Sequence, residues 1–269
     1  MKRMMSVILA LTMLLTLTAC GEKPEQPDTE YSFVVSTDVY EDIGTAEDGT
    51  ILIHVRYELP HLNIVSEMSE DGAVDAQILA VRNTFNEEMK KQRNMEIDLF
   101  TQLCDAAKED YKYVSESGLD WYVYADEMTM EPPYQTDGGL LSIYAAAYCW
   151  TGGAHPTNAY AAWNYDLNEG KFLQYTDLTD DEEAFRTAAA NEILAQIDEE
   201  GIAEGLFEDY KASVRKLSFA EPLFNADGMV VCFPEYILGP HAAGLLSFIV
   251  PYEKLSGVMN DYGRALLNL

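Results

Sequence analysis

The chain has 269 residues, 46 of them Asp or Glu and 17 Lys or Arg, which leaves a formal net charge of −29 at pH 7. A hydrophobic content of 48% can fill a packed core and excludes a disordered chain. So large an acidic excess repels phosphates and excludes a nucleic-acid partner; it attracts a basic protein and also keeps an extracellular protein soluble.

Residues 1–19 read as a targeting signal. Lys2 and Arg3 form a positive start, and 6–17 is an apolar run broken only by Ser and Thr. It falls short of the ~20 apolar residues that a membrane span needs. The run ends in Leu17-Thr18-Ala19-Cys20, which resembles the lipobox of bacterial lipoproteins. The resemblance implies cleavage before Cys20 and diacylation of its thiol. Two acyl chains hold a membrane stably where one is marginal. Residues 21–30 carry two prolines, four acids and no large apolar side chain. With the lipidated Cys20 they form an extended tether over 20–30, with a reach of roughly 30 Å at ~3.1 Å per residue.

Strands are predicted over 32–39 and 50–59, joined by a turn-rich link as a hairpin; the second alternates Ile51, Ile53, Val55, Tyr57 and Leu59 with polar positions. From 73 to about 113 the pattern is helical. Val74, Ile78, Val81, Phe85 and Met89 share one face, and Leu99, Leu103, Ala107 and Tyr111 resume it. The phase shift across 93–97 predicts a bend or a division into two helices. Further strands are expected over 119–130, 140–150 and 159–167. Thr179-Asp-Asp-Glu182 has the spacing of a capping box for a helix to about 199, burying Phe185, Ala189, Ile193 and Ile197. Strands over 217–223 and 229–233 flank the turn Asn225-Ala-Asp-Gly228. A strand over 245–251 and a short helix over 252–259 close the chain. Strands that pair through hairpins define an α+β class, mainly antiparallel, with two principal amphipathic helices and two closely packed halves, 31–165 and 166–269.

The stretch from Tyr113 to Gly170 holds all three tryptophans, eight tyrosines and eight acids, and neither Lys nor Arg. Most such aromatics pack strands, though the combination also suits a cationic or carbohydrate ligand. Beyond Cys20 there are three cysteines, Cys104, Cys149 and Cys232. An odd number excludes a complete disulfide framework, and buried thiols on apolar faces are expected.

Several segments resemble a known extracellular module. Trp150-Thr-Gly-Gly-Ala-His155 is followed by Asn164-Tyr-Asp-Leu167. Asp227-Gly-Met-Val-Val-Cys-Phe233 is followed by Glu235 and by Gly239-Pro-His-Ala-Ala-Gly244, then by Phe248-Ile-Val-Pro-Tyr252. In this order they resemble the ectodomain of the anti-sigma factor RsiV and the paired domains that precede the catalytic domain of PdaC-type peptidoglycan deacetylases. The resemblance implies a surface module near peptidoglycan that binds lysozyme, a basic protein, with wall fragments as a further partner. No segment resembles the sigma-binding or deacetylase parts, so neither activity is expected. His241 stands where the family pattern has Tyr.

The ligand-binding candidates are Gly152, Gly153, His155 and Pro156 in one loop, and Glu235, Tyr236, His241 and Gly244 in another. The glycines allow turn conformations closed to other residues, and Pro156 stiffens its loop. The rival reading is a cell-wall hydrolase or a metal-binding lipoprotein, with His155, Glu235 and His241 holding zinc if the loops converge. Catalytic motifs are lacking. Ser213-Val-Arg-Lys216 has the S-x-x-K spacing of penicillin-binding proteins but no K-T-G companion. The expectation is a binding module with no cofactor and no enzymatic activity. If the anchor is as described, Cys20→Ser shifts the protein from the membrane fraction to the soluble fraction of fractionated cells. Full retention of the variant on membranes would place the anchor elsewhere.

Overall fold

A computed structural model describes residues 31–66, 75–217 and 221–269. Residues 1–30, with the expected targeting signal, Cys20 and the expected tether, lie outside the described residues. In chain order the first part comprises β1 (Tyr31–Thr45), β2 (Ile51–Ser66), α1 (Ala76–Glu116), β3 (Tyr124–Met130), β4 (Tyr134–Gln135), β5 (Leu140–Trp150), β6 (Thr157–Asp166) and β7 (Lys171–Leu173). The second comprises α2 (Glu182–Glu200), α3 (Tyr210–Lys216), β8 (Leu223–Phe224), β9 (Gly228–Phe233), β10 (Leu246–Pro251), α4 (Tyr252–Leu255) and α5 (Asp261–Leu267). The class is α+β with mostly antiparallel sheets.

The large sheet runs in the order β1-β2-β3-β5-β6-β7, with β4 on β5. Every pair is antiparallel except β2 and β3, because α1 intervenes as a crossover between them. β8, β9 and β10 form the small sheet. Its hairpin turn is the expected one. The Asn225 side-chain oxygen accepts from the Asp227 and Gly228 amides at 2.9 and 3.0 Å.

Helix α1 is a single helix and does not divide. Its buried residues are Val81, Phe85, Met89, Phe100 and Ala107. The step from Met89 to Phe100 is three turns at 3.6 residues per turn, so the apolar face keeps its azimuth. In the gap Gln92 donates to Glu96 at 2.6 Å, and both are half-buried. A polar pair on the covered face, not a break in the backbone, is what disturbs the sequence pattern. Phe100 takes the core place expected of Leu99, which stays exposed. The helix begins with Asp75 capping the Gln77 amide at 2.7 Å.

The underside of the sheet packs on α1 in two patches. Ile53, Val55, Tyr57 and Leu59 meet Phe100 and Ala107, and Leu62, Leu141, Ile143 and Tyr165 meet Val81, Phe85 and Met89. Asn86 on α1 serves the backbone of β2: its side chain accepts from the Leu62 amide at 2.8 Å and donates to the Leu62 carbonyl at 3.0 Å. The C-terminal core gathers Phe185, Ala189, Ile193 and Ile197 of α2 with Val231, Phe233, Phe248 and Val250 of the small sheet. Leu140 at the start of β5 joins that cluster and so belongs to both halves. Each fully buried large side chain contributes about 1.5–3 kcal/mol.

Four local expectations are corrected. The N-cap of α2 is Asp181, which accepts from the Ala184 amide at 3.0 Å, because the Thr179 hydroxyl is committed to the Val258 carbonyl at 2.7 Å. The strand expected over 217–223 is reduced to β8, since α3 precedes it and ends at Leu217 in the left-handed region with φ 44°; 218–220 lie outside the described residues. The strand expected from 119 begins at Tyr124. The last predicted helix is only the four residues of α4, and α5 follows it.

The two sheets meet through a buried polar seam. Ser142 on β5 donates to the Asn164 side-chain oxygen on β6 at 2.7 Å and accepts from the Phe224 amide of β8 at 2.9 Å. Asn164 in turn donates to the Pro222 carbonyl at 2.7 Å. Both side chains are buried, so each lost partner exposes an unsatisfied group to the interior. Asn164→Ala should therefore lower stability by about 2–4 kcal/mol in urea denaturation. A loss below ~0.5 kcal/mol, the range of an ordinary surface change, would show that the seam does not hold the sheets together.

Candidate functional site

The loop 151–156 joins β5 to β6, and the loop 234–244 joins β9 to β10. The seam holds the small sheet over the β5–β6 end of the large one, and the two loops converge. His155 and His241 stack face to face, with ring centroids 3.5 Å apart and planes 18° apart. Tyr236 packs beside His241 with centroids 6.0 Å apart, and its hydroxyl lies 3.2 Å from His155 Nε2. Glu235 binds the loops underneath. Its carboxylate accepts from Asn158 Nδ2 on β6 at 2.8 Å, and its other oxygen lies 3.1 Å from His241 Nδ1. That second contact is an ion-pair distance rather than a well-aimed hydrogen bond, for His241 Nδ1 is buried without a hydrogen-bond partner.

The remaining candidates shape the backbone. Gly152 sits at φ 82°, where a Cβ would press within 3.1 Å of the Tyr124 ring, so the position favours glycine twice over. The Gly153 carbonyl accepts from Trp150 Nε1 at 3.1 Å and fixes the indole over the loop. His155 Nδ1 lies 3.1 Å from the carbonyl of Pro156. Gly244 terminates a short 3-10 turn, His241–Ala243, at φ 68°. Tyr236 occupies the left-handed region at φ 66°. For a non-glycine residue this costs about 1–2 kcal/mol, and such strain persists only where the surroundings over-determine it. Tyr236 is nonetheless 54% exposed.

All four polar candidates, His155, Glu235, Tyr236 and His241, thus come together. The geometry gives no support to the zinc reading of three of them. Imidazole lone pairs lie in the ring planes, so two stacked, nearly parallel rings cannot both aim at one ion. Among the described residues no group of three or more His, Cys, Asp or Glu is placed to hold a metal. Asn158 was not legible as a site residue. Its only signal is position, one residue into β6 beyond the loop.

Burial opposes ionisation of Glu235, whose side chain is 5% exposed. The hydrogen bond from Asn158 and the electrostatic pull of the adjacent His241 ring outweigh that cost and hold the carboxyl below its ordinary 4.5. The thiols are shifted the other way. Burial, and then the nearby Asp126 carboxylate, push Cys149 up to about 11, and burial pushes Cys232 up to about 11. Such thiols stay protonated near neutrality and make poor nucleophiles. Cys104, Cys149 and Cys232 are all free.

Fold and site together describe a two-sheet α+β module in which two loops converge on a cluster of His155, Glu235, Tyr236 and His241. Residues 176–253 match the model of a protein family described as "Protein of unknown function (DUF3298)", so the chain carries a DUF3298 domain there. The match includes the 234–244 loop and leaves out 151–156. Two solved structures share the fold. A DUF3298 family member from Bacteroides fragilis is 14% identical with a TM-score of 0.60, over 88% of this chain and 96% of that one. A DUF3298 family protein from Pseudomonas aeruginosa is 15% identical with a TM-score of 0.57, over 86% and 96%. No curated protein matches the chain.

The depressed carboxyl of Glu235 makes a pH-dependent prediction. A group with a lowered folded pKa stabilises fully above its unfolded value and loses that contribution as pH falls through the folded value. Glu235→Gln should therefore be less stable than wild type at pH 7, and the gap should close as pH falls below about 4.5 toward the depressed pKa. Urea denaturation at stepped pH measures it. A gap that stays constant to pH 3 would mean the Glu235 charge is not held by His241 and Asn158.

Proposed function

We propose that the chain is a lipid-anchored extracytoplasmic binding module for a cationic wall-active protein, with lysozyme as the leading candidate. The observation that carries this reading is the convergence of 151–156 and 234–244 into an exposed, hydrogen-bonded aromatic cluster in a chain of net charge −29.

An acidic body steers a basic partner and raises its association rate, an effect that salt weakens. Charge gives little affinity by itself, so an interface also needs anchors that shed water. Tyr236 is such an anchor. It is exposed, its hydroxyl is engaged by His155, and its backbone is locked in a strained conformation, so little side-chain entropy is left to lose on binding. The resemblance to RsiV-type ectodomains runs through both loops and supports the same ligand class, with peptidoglycan fragments as a second ligand at the same loops. Among the described residues no helix is long and apolar enough to cross a membrane. In this reading the tether at 20–30 carries the body, 31–165 and 166–269 pack as its two halves, and no catalysis is required of them.

Isothermal titration of the ectodomain with lysozyme tests the reading, with cytochrome c as a basic control. The expected result is saturable binding to lysozyme that weakens with salt but survives it, and little binding to cytochrome c. Equal binding to both that disappears at moderate salt would reduce the interaction to net charge and sink the proposal.

A further inference from the structure

The large sheet has one face on α1 and a second face that is only half covered. The C-terminal half packs on the β5–β6 end of that second face, where Ser142 holds Phe224. Toward β1 the cover stops. Cross-strand register sets two rows there, one linking Ile43, His54, Ala125 and Trp150, the other Glu41, Arg56, Glu127 and Tyr148. Ile43 is 49% exposed, Tyr148 37%, and His54 and Glu127 are exposed as well. A groove of about 550 Å³ lies along these rows, between Glu41, Asp42, Ile43, His54, Arg56 and Glu127.

The second row does not end at Tyr148. Its next member is Asn158 on β6, opposite Tyr148, and Asn158 donates to Glu235 beneath the histidine stack. The uncovered shelf and the loop cluster are therefore one continuous surface, with the cluster as its raised wall. Trp150 belongs to both, since its ring stands in the first row and its Nε1 is tied to the loop at Gly153.

The charges on the shelf are unbalanced. Arg56 is the one cation in the two rows, and it is already engaged by Glu41 at 2.8 Å and by Glu58. Glu127 faces Arg56 in register, and Glu41, Glu58 and Glu127 together outnumber that one cation, which leaves the groove anionic. An apolar and aromatic floor with surplus carboxylates at its margins suits a protein face that presents Lys or Arg around an apolar patch. A second copy of this acidic chain would be repelled.

We infer that the uncovered β1-β2-β3-β5 face is the main docking surface for the cationic protein, and that the His155–Tyr236–His241 cluster is its edge. The inference rests on the binding function proposed above and names where that partner sits. Tyr148 and Ile43 supply contact that excludes water, and Glu127 meets a basic side chain of the partner.

Calorimetry with lysozyme near physiological salt tests it, where charges farther apart than ~8 Å are screened. The variants are Tyr148→Ala, Glu127→Lys, Tyr236→Ala and, as a distant charge control on α1, Glu109→Lys. Far-ultraviolet circular dichroism and thermal melting check that each variant folds, and hydrogen exchange of the unmutated complex gives an independent map. The expected result is that Tyr148→Ala and Glu127→Lys each weaken binding at least tenfold. Glu109→Lys should change it less than twofold, and protection should cover β1, β2 and β3. Binding that is lost only in Tyr236→Ala, with no protection on those strands, would overturn the shelf and leave the proposed function standing. Absence of lysozyme binding in the unmutated protein would overturn both.

Discussion

The arrangement of this protein depends on the buried seam between Ser142, Asn164, Pro222 and Phe224. Hydrogen bonds between buried groups add modest net stability, but leaving one of them unmade is costly. A seam of that kind therefore selects one docking geometry out of many that apolar packing alone would tolerate. Leu140 adds apolar contact at the same place, and Tyr262 of α5 donates to the fully buried Asp166 at 2.5 Å. Further along, Thr136 donates to the Leu266 carbonyl at 2.5 Å, and Gly138 lies so close to α5 that a Cβ there would collide with its backbone. Because the small sheet is fixed on β5 and β6, 234–244 must meet 151–156, and the β1 side of the large sheet must stay open.

Much of this was readable in the chain, and the parts that were not share a cause. The alternation in β2, the apolar face of α2 and the Asn225–Gly228 turn are local patterns, and each appears as expected. The residues paired across the two loops were identified from their positions in the motifs, although nothing local shows that His155 and His241 would stack. Contacts distant in sequence left no such trace. Asn164 reads as an ordinary strand residue, yet it secures β8 through Pro222. Gln92 and Glu96 look like a phase break in α1 because their burial depends on the sheet beneath them. Tyr236 shows no sign of a left-handed backbone, since glycine or asparagine is the usual marker of that conformation.

The proposed binding reading agrees with the state of the ionisable groups at the site. A catalytic base or nucleophile needs a pKa drawn toward its working range. Here Glu235 is held ionised, while Cys149 and Cys232 are held protonated. Both histidines are turned against each other rather than toward a common reacting atom. Ring stacking, a buried carboxylate and a strained tyrosine backbone hold the loop surface in one shape, and for the proposed binding role that rigidity would reduce the ordering cost.

Acidity and shape then act on different steps. The net charge acts at long range and is blunted by salt, so for the proposed basic partner it would govern how often the partner arrives. Which of the arriving partners stays would be a matter of koff, set by desolvated contacts at the centre of an interface. Most of the carboxylates lie away from the shelf, so net charge alone cannot mark a particular place. The rows from Ile43 to Trp150 and from Glu41 to Asn158 can do so, because β-sheet register fixes their spacing and the seam fixes the wall beside them. For the proposed docking surface, specificity would therefore follow from where the cover of the sheet stops, and that boundary is set by four residues in the interior.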